Sequence, residues 1–307
     1  MNKPQYITPV VTAFKPDGQL DKEANIKIWN NLIEGGITGI VIMGSTGEFF
    51  ALRPEQKREL IELAEQHIKG RVMFYVGTGH MRLDDTVELS NFALSRGADG
   101  VMIIGPYYFS LSDECIELYF SEAAKAISGN IFLYNFPERT SYDLKPKIAL
   151  KLLKKHSNIT GYKDTVGAMA HTRELISTVR NGGSDDFIIL SGKDENFAHT
   201  LLSGGNGCIG GLSNLFPELS GAWVKAVNQK DMDKVSAIQK VMDTINDVSA
   251  IGTPAIPVLK KAMILRGAEM HDTCQFPFIS ASNEQTAKAK ALLDAVETKV
   301  KAAIAAV

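Results

Sequence analysis

Lys163 stands near the end of a short apolar run, Ile159-Thr-Gly-Tyr-Lys-Asp-Thr165. A β-branched run of this kind belongs in a packed strand, where a lysine is out of place. Three readings are open: the strand is misassigned, the charge is structural and partnered, or the amine is a nucleophile. Strand alternation puts Ile159, Gly161 and Lys163 on one side and Thr160 and Tyr162 on the other. If the Gly161 side faces an interior, loss of water favours the neutral amine, which attacks carbonyls. The partnered alternative needs a carboxylate, and Glu48 and Asp194 are the candidates. Tyr134 ends the preceding apolar run and Tyr108 follows the one before it. A phenol beside an amine can move the protons that imine formation requires. A half-buried ring with a satisfied hydroxyl is the plainer use of a tyrosine. Gly44-Ser-Thr-Gly-Glu48 offers backbone N–H groups and two hydroxyls, either a nest for a carboxylate or an ordinary glycine-rich turn.

The elements that must position these groups alternate along the chain. "YITPVVTAF", "ITGIVIMG", "RVMFYVGTG", "GVMIIGP", "NIFLYNFP", "ITGYKD", "DFIILSGKD" and "GNGCIGGLS" read as strands, and each is followed by an amphipathic stretch. In "RPEQKRELIELAEQHIKG" one helical face collects Leu60, Ile61, Leu63, Ala64 and Ile68. Nearly continuous apolar strands imply parallel strands buried on both faces. Eight such units predict an α/β fold, a (β/α)8 TIM barrel over 1-227, with a C-terminal helical extension over 228-307. A doubly wound open sheet is the rival. In a barrel the chemistry gathers at the C-terminal strand ends. There stand "GSTGE", "GTG", "PYY", "YNFPERT", Lys163, "SGKDE" and "GGLSN", while the opposite ends carry helix-capping glycines such as Gly35, Gly36 and Gly70.

Composition narrows the classes. The 307 residues are 45% hydrophobic and 22% charged, with a net charge of −2, which gives no electrostatic reason to expect nucleic acid or an anionic membrane. Three scattered cysteines, Cys115, Cys208 and Cys274, fit a reducing compartment rather than a disulfide framework. The amino terminus lacks a charged start before a long apolar stretch, and no run reaches the length of a membrane helix, so a cytoplasmic protein is expected. Neither CxxC, HExxH nor clustered histidines occur, so no metal is expected. Gly205-Asn-Gly207-Cys-Ile-Gly210 matches GxGxxG, with Asp231 about twenty residues on. A dinucleotide fingerprint follows a strand and opens a helix. This one runs into a strand and is rejected.

"GSTGE", "PYY", "YNFPERT", "GYKDT", "SGKDE" and "GCIGG", in this order, resemble the dihydrodipicolinate synthase/N-acetylneuraminate lyase family over essentially the whole chain. The resemblance implies a barrel with a C-terminal helical extension, assembled as a homotetramer of two tight dimers. It implies class I aldol chemistry between pyruvate and an aldehyde through a lysine–pyruvate imine, without metal or organic cofactor. Lys163, Tyr134, Tyr108 and Thr46 form the implied catalytic set, with Tyr108 or its neighbour Tyr107 completing a relay near the dimer interface. Ser45 and Thr46 would hold the pyruvate carboxylate. The implied substrate contacts also include Arg139, Thr165, Gly192, Asp194, Glu195 and Ile209.

Within the family the motifs divide. Arg139 matches the arginine with which dihydrodipicolinate synthases hold the carboxylate of aspartate semialdehyde. Those synthases usually follow the lysine with Glu-Ala, whereas Asp164-Thr165 stands here. Thr165, Asp194 and Glu195, with "YNFP" and "KDT", resemble lyases of sialic acid and of 2-keto-3-deoxy sugar acids. His80 stands where the synthases commonly have the asparagine of a lysine-inhibitor site. Gly211 replaces a substrate-contacting serine of sialic-acid lyase, which argues against sialic acid itself. The expectation leans to a 2-keto-3-deoxy sugar acid aldolase, with a dihydrodipicolinate synthase as alternative and a keto-acid-binding sensor as the non-enzymatic one.

Overall fold

The runs read as strands are strands, and all but "ITGYKD" are shorter than the stretch that predicts them. A computed structural model describes residues 3–305. In it β1 (Gln5–Pro9) leads to α1 (Lys22–Glu34), and β2 (Gly39–Ile42) to α2 (Pro54–His67). β3 (Met73–Gly77) leads to α3 (Leu83–Ser95), and β4 (Gly100–Ile104) to α4 (Asp113–Ala126). β5 (Ile131–Asn135) is followed by a short helix, α5 (Pro137–Thr140), that periodicity does not reveal, and then by α6 (Pro146–Lys155). β6 (Ile159–Asp164) leads to α7 (Met169–Asn181), β7 (Ile188–Ser191) to α8 (Phe197–Leu202), and β8 (Gly207–Ile209) to α9 (Pro217–Gln229). α10 (Met232–Ile245), α11 (Ile256–Leu265) and α12 (Asn283–Ala305) follow. The strands hydrogen-bond in chain order, β1 to β8, as a closed barrel. The expected barrel holds and the open sheet does not. Residues 1, 2, 306 and 307 of the expected ranges lie outside the described residues.

The first strand shows why the runs overshoot. "YITPVVTAF" continues to Phe14, but β1 stops at Pro9 because asparagine side chains take over the backbone beyond it. Asn214 Oδ1 accepts the Val11 N–H at 3.1 Å, and Asn25 Oδ1 accepts the Ala13 N–H at 3.0 Å. A buried backbone group needs a partner, and here the partner is not another strand.

The chain forms two compact units, residues 3–5 with 74–209 and residues 6–73 with 210–305. In the first, β4, β5, β6 and β7 pair in parallel, with Ile104 opposite Tyr134, Tyr134 opposite Lys163, and Lys163 opposite Leu190. In the second, α1 lies against α9 at glycine contacts. A Cβ on Gly221 would fall 2.0 Å from the Gly35 carbonyl oxygen, so only glycine fits there. The buried rings of Trp29, Trp223 and Tyr6 belong to this unit, as does the packing of α10, α11 and α12 on one another. On α2 the buried face is Gln56, Leu60, Ile61 and Ala64, with Leu63 half-buried. Gln56 enters the core because its amide is used, donating to the Gly18 carbonyl at 3.0 Å.

Candidate active site

β5 and β6 carry the candidate nucleophile. The register slips by one residue between Ile131 and Phe132, so the alternation assumed from Ile159 breaks at Thr160 and resumes at Gly161. From there Phe132 faces Gly161 and Tyr134 faces Lys163. A Cβ on Gly161 would lie 2.3 Å from the Phe132 ring, so the missing side chain makes room for that ring. Lys163, two residues on, points to the same side. It is buried, 5% exposed, and its Nζ lies 4.2 Å from the centroid of the Tyr134 ring. Among the described residues neither Lys163 Nζ nor the Tyr134 hydroxyl has an ion-pair or hydrogen-bond partner. The partnered-charge alternative therefore lacks a partner. Glu48 is committed to Lys260, at 2.5 Å.

Around this pair the first unit places the other expected contacts. The Thr165 N–H donates to the Asn135 carbonyl at 2.9 Å, and the Gly192 N–H donates to the Asp164 carbonyl at 2.6 Å. Thr165 Oγ1 is buried and unpartnered, and a Cβ on Gly192 would fall 1.9 Å from it. Any side chain at position 192 collides with Thr165. Asp194 is buried and Glu195 half-buried on the turn Asp194–Asn196, and Ile209 is buried at the end of β8. Arg139 is exposed on α5, its guanidinium 5.4 Å from the Phe136 ring centroid. The Phe136 ring stacks on Tyr134 at 6.1 Å. Tyr108 is 76% exposed, edge-on to Phe109 at 4.8 Å. Within one chain it is a surface residue.

In the second unit the turn after β2 is wound tightly, with Met43 and Glu48 at φ of 54° and 59°. Its Gly47 and Glu48 N–H groups return to the Gly44 and Ser45 carbonyls at 3.0 and 3.2 Å. The N–H groups of Ser45 and Thr46, both half-buried, have no acceptor among the described residues. Two adjacent free amides are what a carboxylate-binding nest requires. The sequence reading missed how this turn is anchored. Glu48 Oε2 accepts the Gln275 N–H at 2.7 Å, and Lys260 Nζ donates to the Thr273 carbonyl at 2.9 Å. The available signal was a lysine at an apolar position of "PVLKKAMIL".

A second missed feature lies behind β6. Asp164 is fully buried, with its carboxylate accepting from Thr172 Oγ1 at 2.7 Å and from Asn135 Nδ2 at 3.2 Å. His171, early in α7, reaches Asp164 through Nδ1 at 2.9 Å and Asp143 through Nε2 at 3.2 Å. Burial favours the neutral ring, but the two carboxylates outweigh it and hold the His171 pKa up at about 10. Burial likewise opposes ionisation of Asp143, yet the hydrogen bond from His171 keeps its carboxyl below the usual range. The site is thus backed by an imidazolium between two carboxylates.

The Dihydrodipicolinate synthetase family matches residues 3–296. The chain belongs to that family. It is 35% identical over 287 residues to YagE of Escherichia coli (strain K12), provisionally named a 2-dehydro-3-deoxy-D-gluconate aldolase, covering 94% of this chain and 95% of that one. The structure of YagE, described as a prophage protein of this family in complex with pyruvate, superposes with a TM-score of 0.93 at 34% identity, covering 96% of this chain and 98% of that one. YjhH of the same strain, provisionally named a 2-dehydro-3-deoxy-D-pentonate aldolase, is 32% identical over 94% of this chain and 96% of its own. A 4-hydroxy-tetrahydrodipicolinate synthase of Kosmotoga olearia is 32% identical over 89% of this chain and 91% of its own. The expected family, barrel and lyase class hold.

The rejected glycine motif runs into β8, which occupies Gly207–Ile209. Among the described residues no group of three or more histidine, cysteine, aspartate or glutamate side chains is placed to hold a metal ion. No helix among them is long and apolar enough to cross a membrane.

Proposed function

We propose that this chain makes or breaks a carbon–carbon bond between pyruvate and an aldehyde through an imine on Lys163. The carrying observation is the buried, unpaired Lys163 amine 4.2 Å from the Tyr134 ring. The amine adds to the C2 carbonyl of pyruvate. Tyr134 gives a proton to the departing hydroxyl, water leaves, and the imine forms. The phenolate then takes a proton from C3, leaving an enamine whose C3 attacks the aldehyde carbon. The new alkoxide recovers the proton from Tyr134, and water adds at C2 to release the product and the amine. Each proton passes through one phenol, the one whose ring lies 4.2 Å from the amine.

In this reading the Ser45 and Thr46 amides hold the pyruvate carboxylate, and Thr46 takes the catalytic part that the family resemblance gives it. The acceptor is a hydroxylated aldehyde, and the product a 2-keto-3-deoxy sugar acid. Thr165 Oγ1, buried without a partner beside Gly192, supports this, because a substrate hydroxyl would satisfy it. Asp194, Glu195, Gly192 and Ile209 complete the acceptor contacts. The names carried by YagE and YjhH point the same way. A second reading, condensation with aspartate semialdehyde, is favoured by Arg139, which has no carboxylate partner among the described residues. A keto-acid sensor would not need Tyr134 beside the amine. The reading includes a cytoplasmic homotetramer in which Tyr108 is covered at a dimer interface, a role its exposure in one chain supports.

The test offers pyruvate with D-glyceraldehyde, glycolaldehyde or aspartate semialdehyde and follows product formation. Higher kcat/KM for a hydroxylated aldehyde is expected. Preference for aspartate semialdehyde would overturn the sugar-acid assignment.

A further inference from the structure

We propose that His171 is a positioning residue for the aldehyde acceptor, locking the loop that carries Arg139 to the strand that carries Lys163 and leads into Thr165. The inference rests on the reading of Lys163 as the imine-forming amine. Residues 136–144 leave β5 after Asn135 and return to it. Asn135 Oδ1 accepts the Leu144 N–H at 3.0 Å, and Asn135 Nδ2 donates to Asp143 Oδ1 at 2.8 Å. The Tyr162 hydroxyl of β6 donates to the Leu144 carbonyl. Arg139 stands on α5 within this loop.

His171 ties the loop to α7 and β6 at once, because its two ring nitrogens bridge Asp143 and Asp164. Asp164 lies between Lys163 and Thr165 and is fully buried, whereas the Asp143 side chain is 34% exposed. Without the imidazolium, two carboxylates face each other and repel, and a buried one is left less compensated. Asp164 keeps Thr172 and Asn135 and stays in the ladder, whereas Asp143 keeps only the Asn135 amide and is partly exposed, so Asp143 is the side that gives way. The 136–144 loop moves with it. Lys163, held in the β5–β6 and β6–β7 pairings, does not. The consequence is lopsided: capture of pyruvate survives while capture of the aldehyde weakens.

His171→Ala and Asp143→Ala are compared with the unaltered chain in three readouts. These are borohydride trapping of pyruvate, the KM for D-glyceraldehyde or aspartate semialdehyde, whichever the unaltered chain turns over, and amide hydrogen exchange across residues 136–144. Thr172→Val, which loosens α7 on Asp164 without touching the loop, is the control for lost stability. The expected result is trapping within about threefold of normal, an aldehyde KM raised by more than trapping is slowed, about tenfold or more where the acceptor is aspartate semialdehyde and less for D-glyceraldehyde, and faster exchange in the loop. Thr172→Val should show none of the last two. Unchanged KM and exchange in both alanine variants would overturn the proposal, as would an equal KM rise in Thr172→Val at matched thermal stability. If His171→Ala does not fold, Asp143→Ala decides. Absence of trapping in the unaltered chain defeats the reading of Lys163 instead, and the loop exchange still judges His171.

Discussion

Glu48 and Lys260 pair at 2.5 Å with both side chains fully buried, joining the turn after β2 to α11. The pair is closed off by hydrogen bonds to Gln275 and Thr273 and by the Phe14 ring, whose centroid is 4.6 Å from Lys260 Nζ. Removing one charge of such a pair strands the other in a low-dielectric interior. Lys260→Met should lower stability by about 3–5 kcal/mol, measured by urea unfolding. The double change Glu48→Gln with Lys260→Met should lose less than Lys260→Met alone. Additive losses would show that the two groups do not compensate each other.

His171 gives stability a pH dependence with a definite sign. Its folded-state pKa, about 10, lies above the ordinary value of 6.5. The stabilisation is therefore complete below about 6.5 and is lost as pH rises through about 10. Asp143 acts oppositely, its lowered pKa adding stability that disappears as pH falls into the carboxylate range. Between pH 7 and 10.5 the melting temperature should fall in the unaltered chain, and the fall should be shallower in His171→Asn. Parallel curves would contradict the bridging role.

Gly192 is expected to tolerate no side chain. With a Cβ 1.9 Å from Thr165 Oγ1, Gly192→Ala must displace Thr165 or the strand end behind it. Overpacking of this kind costs about 1–3 kcal/mol. Thermal denaturation should show the loss in Gly192→Ala and its partial recovery when Thr165→Gly is added. No loss in the single variant would mean that the two backbones are farther apart.

The acceptor contacts divide the two substrate readings. For a hydroxylated aldehyde, Thr165→Ala and Glu195→Gln should each cost about 1–3 kcal/mol in kcat/KM, because polar groups lose partners. Arg139→Ala should then be milder. For aspartate semialdehyde the order reverses, with Arg139→Ala costing about 2–5 kcal/mol.

What the sequence made legible was local. The β-branched runs and their helical followers carry their own periodicity, so the barrel and the place of Lys163 at the end of β6 could be read directly. Strand ends could not, since β1 is cut short by Asn25 and Asn214, one distant in sequence. The slip at Thr160 was invisible for the same reason, because register belongs to the pairing of β5 with β6. Lys260 and Glu48 are 212 positions apart, and His171 and Asp143 28, so their partnerships appear only once the chain has closed. Gly192 was named from resemblance, and the reason for its lack of a side chain, the approach of Thr165, is purely spatial.

The central claim is that Lys163 is the nucleophile, and trapping it is the direct test. Pyruvate and borohydride are added together, the protein is digested, and the modified peptide is sequenced by mass spectrometry. The reduced pyruvate adduct should sit on Lys163 alone, should vanish in Lys163→Ala, and should form far more slowly in Tyr134→Phe, by a factor of about 10²–10⁴. An adduct on another lysine, or none at any pH, would contradict the account.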